Sequence, residues 1–418
     1  MNNPRRPNPV TRREFLRQTG GTLGFLAFSG FAPAFLARSA YADTPRAERD
    51  RSILVIIQLA GGNDGLNTVI PFQDDNYYRL RPSLALREPQ LIRLNEETGL
   101  HPACDDLARL HHEGKLCIVQ NVGYPNPNRS HFRSMEIWET ATDSDRYAAT
   151  GWMGRYLDNA CAGQPVTEEP AAINLGQSLP QSFFASQPHN LFSAHGMRLG
   201  AGRRGARGAG DLALLEAMIQ APEDNPQAHY LQQTLMNTMV TERRVQGILE
   251  NYQTPVNYPG NRLAQSLRQV AALIASGLET RLYFVSQGGY DTHVGQENPH
   301  SRLLTDLSSS MAAFQQDLES KRLQDQVLTM TFSEFGRRSA ENASRGTDHG
   351  TAAPLFIMGS SVRQPFAGTP PVLPEDSRRD PDYSTDFRQV YATLLSDWLN
   401  TDATAVLGRP FDSLNILG

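Results

Sequence analysis

The sequence predicts an α/β protein built on a mostly parallel sheet. Three observations carry this. The stretch SILVIIQLA (Ser52 to Ala60) is a continuous Ile/Val-rich run that ends at Gly61-Gly62, as a strand buried on both faces does. Strand and helix patterns then alternate over about a hundred residues. The same rhythm returns near residue 280, after a segment of different composition.

After the first strand, ACDDLARLHHEG (Ala103 to Gly114) has helical spacing and a glycine stop. LCIVQNVG (Leu116 to Gly123) reads as a second buried strand, and RSHFRSMEIWET (Arg129 to Thr140) as a helix. Residues 160–225 are rich in Gly, Pro, Ser and Gln, with an arginine-glycine stretch at 198–208. Amphipathic helices follow at Asn225 to Tyr252 and Asn261 to Leu278. Residues 160–260 are therefore expected to form an insertion or cap on the sheet. TRLYFVSQ (Thr280 to Gln287), DQVLTMTFSEFG (Asp325 to Gly336) and PLFIMG (Pro354 to Gly359) are strands. Ser301 to Lys321 and Asp386 to Leu399 are helices.

The first 42 residues stand apart. Arg12-Arg13 precede Phe15 and Leu16, an uncharged stretch runs from Gln18 to Ala37, and Ala40-Tyr41-Ala42 has small-x-small form. This is the pattern of a twin-arginine signal peptide, removed after export through the twin-arginine translocase to the periplasm or beyond. The clean apolar part is too short and too interrupted for a spanning helix of about 20 residues, and no later segment reads as one. Cleavage before Asp43 removes six arginines and Glu14, leaving 33 basic and 43 acidic residues, a net charge of −10. An acidic chain without a long basic run excludes nucleic acid as partner. Cys104, Cys117 and Cys161 form no CxxC pattern, which excludes a zinc ribbon. The first two sit at apolar positions, as buried small hydrophobes do, although an oxidising compartment also permits a disulfide.

Candidate chemistry falls at the carboxyl ends of the strands, where open α/β sheets bind ligands. The first strand is followed by Asn63, Asp64 and Asn67, the second by Arg129, Ser130 and His131. The strand from Thr280 is followed by Asp291 and His293, and that from Asp325 by Glu334, Arg337 and Arg338. Asp348 and His349 precede the last strand. Each alone has a bland reading: a capped turn for GGND, an N-cap for Ser130, a solvated pair for Arg337 and Arg338. Together, carboxylates and imidazoles at converging strand ends are the donors that a divalent cation requires. Asp64, Asp291, His293, Glu334, Asp348 and His349 are the candidate ligands. Ser130 at a helix start, with Arg129 and Arg337 as donors to anionic oxygens, suits transfer of a phosphate-like group. His111 and His112 read as surface residues, and His189, His195, His229 and His300 take no role.

The stretches LAGGNDGLNTVIP, LHPACDDLARLHHEGKL, RSHF, GGYDTH, FSEFGRR and GTDHG together resemble the bacterial family of domain of unknown function 1501 over nearly all of the chain after the leader. That family is grouped with the alkaline phosphatase and sulfatase superfamily. The resemblance implies a three-layer α/β/α sandwich with a two-metal site at the strand ends, residues 43–418 forming one domain. It implies Asp64 as the first-strand metal ligand and Ser130 as nucleophile. Asp291 with His293 would hold one metal, Asp348 with His349 the other. Where the superfamily supplies a further histidine late in the chain, none follows His349 here, and Glu334 is the residue that would replace it. Asp348 also lies about a dozen residues past its strand, where relatives place it at the strand end. The implied activity is hydrolysis of a small phosphate or sulfate ester with zinc, manganese or calcium. The alternative is an exported binding or assembly protein that keeps the fold without turnover and engages a partner protein.

Overall fold

A computed structural model describes residues 51–162, 169–194 and 241–418. The predicted signal peptide, the arginine-glycine stretch and most of the helix expected from Asn225 lie outside the described residues. The chain divides into two units, one of residues 1–48 and 201–243, the other of 49–200 and 244–418. The second holds everything below.

Strand β1 (Ile53–Ala60) opens the unit. A small antiparallel sheet follows, made of β2 (Val69–Ile70), β3 (Ile92–Arg93) and β4 (Gly99–Leu100), with β4 in the middle. Helix α1 (Asp75–Leu80) lies between β2 and β3, its first turn capped by Asp74, which accepts from the Asn76 N–H at 2.9 Å. Helix α2 (Asp105–His112) leads into β5 (Leu116–Gly123), and α3 (His131–Thr140) and α4 (Trp152–Ala160) follow. Short strands β6 (Ala172–Asn174) and β7 (Leu191–Ser193) precede α5 (Arg262–Ala275), β8 (Leu282–Gly288), the long α6 (Glu297–Ser320) and β9 (Val327–Phe332). Then come β10 (Ala353–Met358), β11 (Phe366–Ala367), β12 (Thr385–Asp386), α7 (Phe387–Thr393) and α8 (Ala403–Leu407).

The central sheet runs β11-β5-β10-β9-β1-β8-β6-β7, with β12 also on β5. Every pairing in it is parallel except the two that β10 makes, with β5 and β9. The strand period of two sends alternate residues to two cores. Ile53, Val55 and Ile57 of β1 pack with α2, α5 and α6, while Leu54 and Ile56 pack with α3, α4 and α7. Each such side chain contributes about 1.5–3 kcal/mol on burial. The result is a three-layer α/β/α sandwich around a mostly parallel sheet, as expected.

Part of the segment expected as a cap is sheet instead: β6 and β7 extend the edge beyond β8. His111 is another departure, since it is buried with Nδ1 3.1 Å from the Leu116 carbonyl. The three cysteines are free thiols. Cys104 lies in one core and Cys117 in the other, and burial pushes each up to about 12. Among the described residues no helix is long and apolar enough to cross a membrane.

Candidate metal centre

Five segments meet at the carboxyl edge of the sheet. Strand β1 turns away through Gly61 (φ +120°) and Gly62 (φ +80°), a backbone path that side chains disfavour. A Cβ on Gly61 would come within 2.5 Å of the Asp291 nitrogen, so the glycine lets the β1 and β8 turns touch. Because β10 runs antiparallel, its start, not its end, lies at this edge, and the loop carrying Asp348 and His349 arrives beside the ends of β1, β8 and β9.

Three imidazoles are oriented alike. His131 Nδ1 lies 2.8 Å from Glu334 Oε1, His293 Nδ1 2.9 Å from Asp348 Oδ1, and His349 Nδ1 2.8 Å from the Arg129 carbonyl. Carboxylates and carbonyls only accept, so each Nδ1 carries a proton, which leaves Nε2 as the atom of each ring that can ligate a metal. The Nε2 atoms all face Asp291. Those of His293 and His349 are 2.9 and 3.1 Å from Oδ1, and that of His131 is 3.5 Å from Oδ2. His293 Nε2 and His349 Nε2 are 3.0 Å apart. Lone pairs and a carboxylate at such distances repel unless protons or a cation lie among them. Donor atoms in a tetrahedral zinc shell stand about 3.3 Å from one another, given Zn–N near 2.0–2.1 Å. His131, Asp291 and His349 offer ligand atoms all within 4.8 Å of one another, and His293 adjoins them. The donor set fits a divalent metal.

The local electrostatics favour charge on both sides. Burial works to raise the Asp291 carboxyl, but Arg337 and His349 outweigh it and hold it near 2. The hydrogen bond to Glu334 raises His131, and the bond from His293 lowers Asp348.

The expected residues divide. Asp291, His293, Asp348 and His349 come together, and Glu334 joins them as the partner of His131 and of the Gly61 N–H, 2.9 Å away. Asp64 does not. It is fully buried with Oδ2 2.6 Å from Arg81 Nη1 and also bonded to the Gln296 amide. Burial pushes its carboxyl up, but Arg81 dominates and keeps it lowered. Arg337, expected to grip a substrate, is sealed: it donates to the carbonyls of Gly61, Gly62, Tyr290 and Thr347 and to Asp291 Oδ1, which is 2.7 Å away. A guanidinium so engaged braces the turns and has no face left for an ester. Arg129 gives its carbonyl to His349, while its exposed guanidinium pairs with buried Asp380. Ser130 stands exposed at the start of α3, between Arg129 and His131, and its hydroxyl makes no capping bond.

His131 is the candidate ligand that the sequence reading passed over. The available signal was an imidazole one residue into a helix that follows a strand's carboxyl end. His300, given no role, is buried below with Nε2 3.0 Å from Asn63 Oδ1, and burial lowers it to about 4. Beside the imidazoles opens a cleft of about 490 Å³, lined by His131, Phe132, Met135, Glu136, Glu139 and Glu334 among others.

A family profile described as "Protein of unknown function (DUF1501)" matches residues 51–413. No curated protein matches the chain. Among solved structures, the chain is similar to a protein in the alkaline phosphatase superfamily from Vibrio parahaemolyticus (9% identity, 87% of this chain and 70% of that one, TM-score 0.39). It is also similar to a putative sulfatase from Bacteroides thetaiotaomicron (7% identity, 88% and 76%, TM-score 0.39). A third is the C-terminal periplasmic domain of EcEptC from Escherichia coli in complex with Zn (10% identity, 75% and 74%, TM-score 0.36).

Proposed function

The chain belongs to the DUF1501 family, and we propose that it is an exported, dication-dependent hydrolase of phosphate or sulfate esters. The observation that carries this is the convergence of three Nε2 atoms on Asp291, each imidazole fixed through Nδ1. Such outer hydrogen bonds orient ligand histidines and raise their basicity. His131, His293, His349 and Asp291 would hold the ion, with Glu334, Asp348 and the Arg129 carbonyl as their outer partners. Three nitrogens suit zinc or manganese, whereas calcium selects oxygen ligands. When bound, such an ion polarises an ester oxygen and lowers the pKa of a hydroxyl beside it.

The protein's own groups supply the rest. Ser130 offers a hydroxyl free of capping at a helix start, flanked by two residues of the cluster, and it is the attacking group in this reading. The rim guanidinium of Arg129 faces solvent and orients the anionic oxygens. The cleft receives the organic part of a small anionic ester.

A second reading, an exported binding or assembly protein with a partner protein and without turnover, is favoured by the guanidinium placement. Arg337 is sealed and Arg129 is paired with Asp380. Assay of the zinc- or manganese-loaded protein on activated aryl phosphate and sulfate esters decides. Turnover that a chelator abolishes and Ser130→Ala removes supports the hydrolase. Stoichiometric metal without turnover on either ester supports the binding protein.

A further inference from the structure

Below the cluster, a buried amide joins its two ligand loops, which the Asn342 amide also links nearer the rim by donating to the His293 carbonyl and to Asp348 Oδ1. Gln296, 1% exposed, lies just before α6. Its Oε1 accepts from the Thr292 hydroxyl at 3.2 Å and from the Thr347 hydroxyl. Thr292 lies between Asp291 and His293, and Thr347 immediately precedes Asp348 and His349. Both threonines are buried. The two loops also touch directly, the Thr347 N–H donating to the Thr292 carbonyl at 3.3 Å.

The amide has only one workable orientation. Its Nε2 donates to Asp64 Oδ2, and a carboxylate cannot donate in return. Asp64 is in turn fixed by Arg81, which also donates to Asn67 Oδ1 and to the carbonyls of Arg338 and Ser339. Arg81 to Asp64 to Gln296 is thus a buried chain of polar groups that ends on both ligand loops. We propose that Gln296 is a positioning residue for the histidine–carboxylate cluster: by holding Thr292 and Thr347 on one oxygen, it sets the spacing of Asp291 and His293 against Asp348 and His349. This gives Asp64 a part in the site at one remove, as the group that orients the amide.

The inference rests on the dication reading of the cluster. It predicts that the threonine hydroxyls matter to metal affinity although neither touches the metal. Loss of a hydrogen bond made directly to a ligating side chain typically costs 10–100-fold in affinity, and the lower end of that range is expected for these bonds one step further out. Thr347→Val and Thr292→Val keep side-chain volume and remove the donor; Thr347→Ser and Thr292→Ser restore it; Gln296→Met removes the shared acceptor. Zinc affinity is measured by competition with a chromophoric chelator, and folding by the melting of each metal-free protein.

The expected result is a loss of at least tenfold for each valine variant, parent-like affinity within threefold for each serine variant, and a loss for Gln296→Met at least as large as the greater valine effect. Should Gln296→Met fail to fold, the valine and serine pairs carry the test alone. Valine variants that melt lower yet bind zinc as the parent does would make the bonds merely structural and overturn the inference, leaving the metal site intact. A parent that binds neither zinc nor manganese would overturn the dication reading and this inference with it.

Discussion

Glu139 offers a sharp test of the electrostatics around the cleft. It lies in the last turn of α3, lines the cleft, and accepts the Gln181 N–H at Oε2, 2.6 Å away. Burial pushes its carboxyl from 4.5 up to about 7, and the charge of Glu136 adds to this, against the lowering by the Gln181 and Ser182 N–H groups. A group raised in the folded state stabilises fully below its unfolded pKa and loses that contribution as pH rises through the folded one. A rise from 4.5 to about 7 corresponds to about 3 kcal/mol over the whole titration, of which about 2.5 kcal/mol falls between pH 5 and pH 8. Glu139→Gln fixes the neutral form. Urea denaturation at pH 5, 6, 7 and 8 should show the parent losing about 2–3 kcal/mol relative to the variant across this range, most of it by pH 7. A gap between the two proteins that stays flat within about 0.5 kcal/mol would show that Glu139 ionises normally and that the cleft wall is charged throughout.

Other outcomes follow from the same geometry. Zinc at a hundred times its dissociation constant adds about 2.7 kcal/mol. At about 2.1 cal/mol/K per residue over residues 51–418, that raises the melting temperature by roughly 3–4 °C; an equal rise in His349→Ala would exclude this site as its origin. Ser130→Ala should change stability by less than about 0.5 kcal/mol, because no capping bond is lost, while ester turnover disappears; full turnover would place the nucleophile elsewhere. Asp64→Ala leaves Arg81 buried without its carboxylate and should cost about 3–5 kcal/mol in chemical denaturation; a cost under 1 kcal/mol would refute the buried pair. Replacing Arg12 and Arg13 by lysine should retain the precursor in the cytoplasm, and normal export of that variant, followed by fractionation, would refute the twin-arginine reading.

The strands that were legible are those with long apolar runs. Strands β1, β5, β8 and β9 are buried on both faces, and so lack the alternation that a half-exposed strand would show. β6 and β7 span three residues each, too few for any period, and their membership in the sheet depends on β8 lying alongside. The direction of β10 was not legible either. A parallel return usually needs a crossover helix, and residues 333–352 contain none. The antiparallel return brings the start of β10 to the edge that carries the cluster. That explains why Asp348 falls so far past β9 in sequence and yet reaches His293 in space.

The composition of the site was harder to read because a strand-end carboxylate has two possible fates, ligand or buried counterion. Which one it takes depends on where a guanidinium arrives. Asp64 follows two glycines of positive φ that turn the chain inward, and Arg81, seventeen residues on, captures it. Asp291 also meets a guanidinium, that of Arg337, but keeps an open side toward three imidazoles. The charge of the cluster then argues for the valence of the proposed ion. The carboxylates of Asp291, Asp348 and Glu334 each face an imidazole, and of the three only Asp291 pairs with Arg337. With a metal on each Nε2 the imidazoles are neutral with the proton on Nδ1, and these four charged groups leave two negative charges at one partly buried edge. One divalent cation among the Nε2 atoms balances them, and a monovalent ion does not. Sodium or potassium at physiological concentration should therefore leave the metal-free melting temperature unchanged beyond general salt screening, while equimolar zinc raises it. A potassium-specific rise equal to that of zinc would contradict this charge balance.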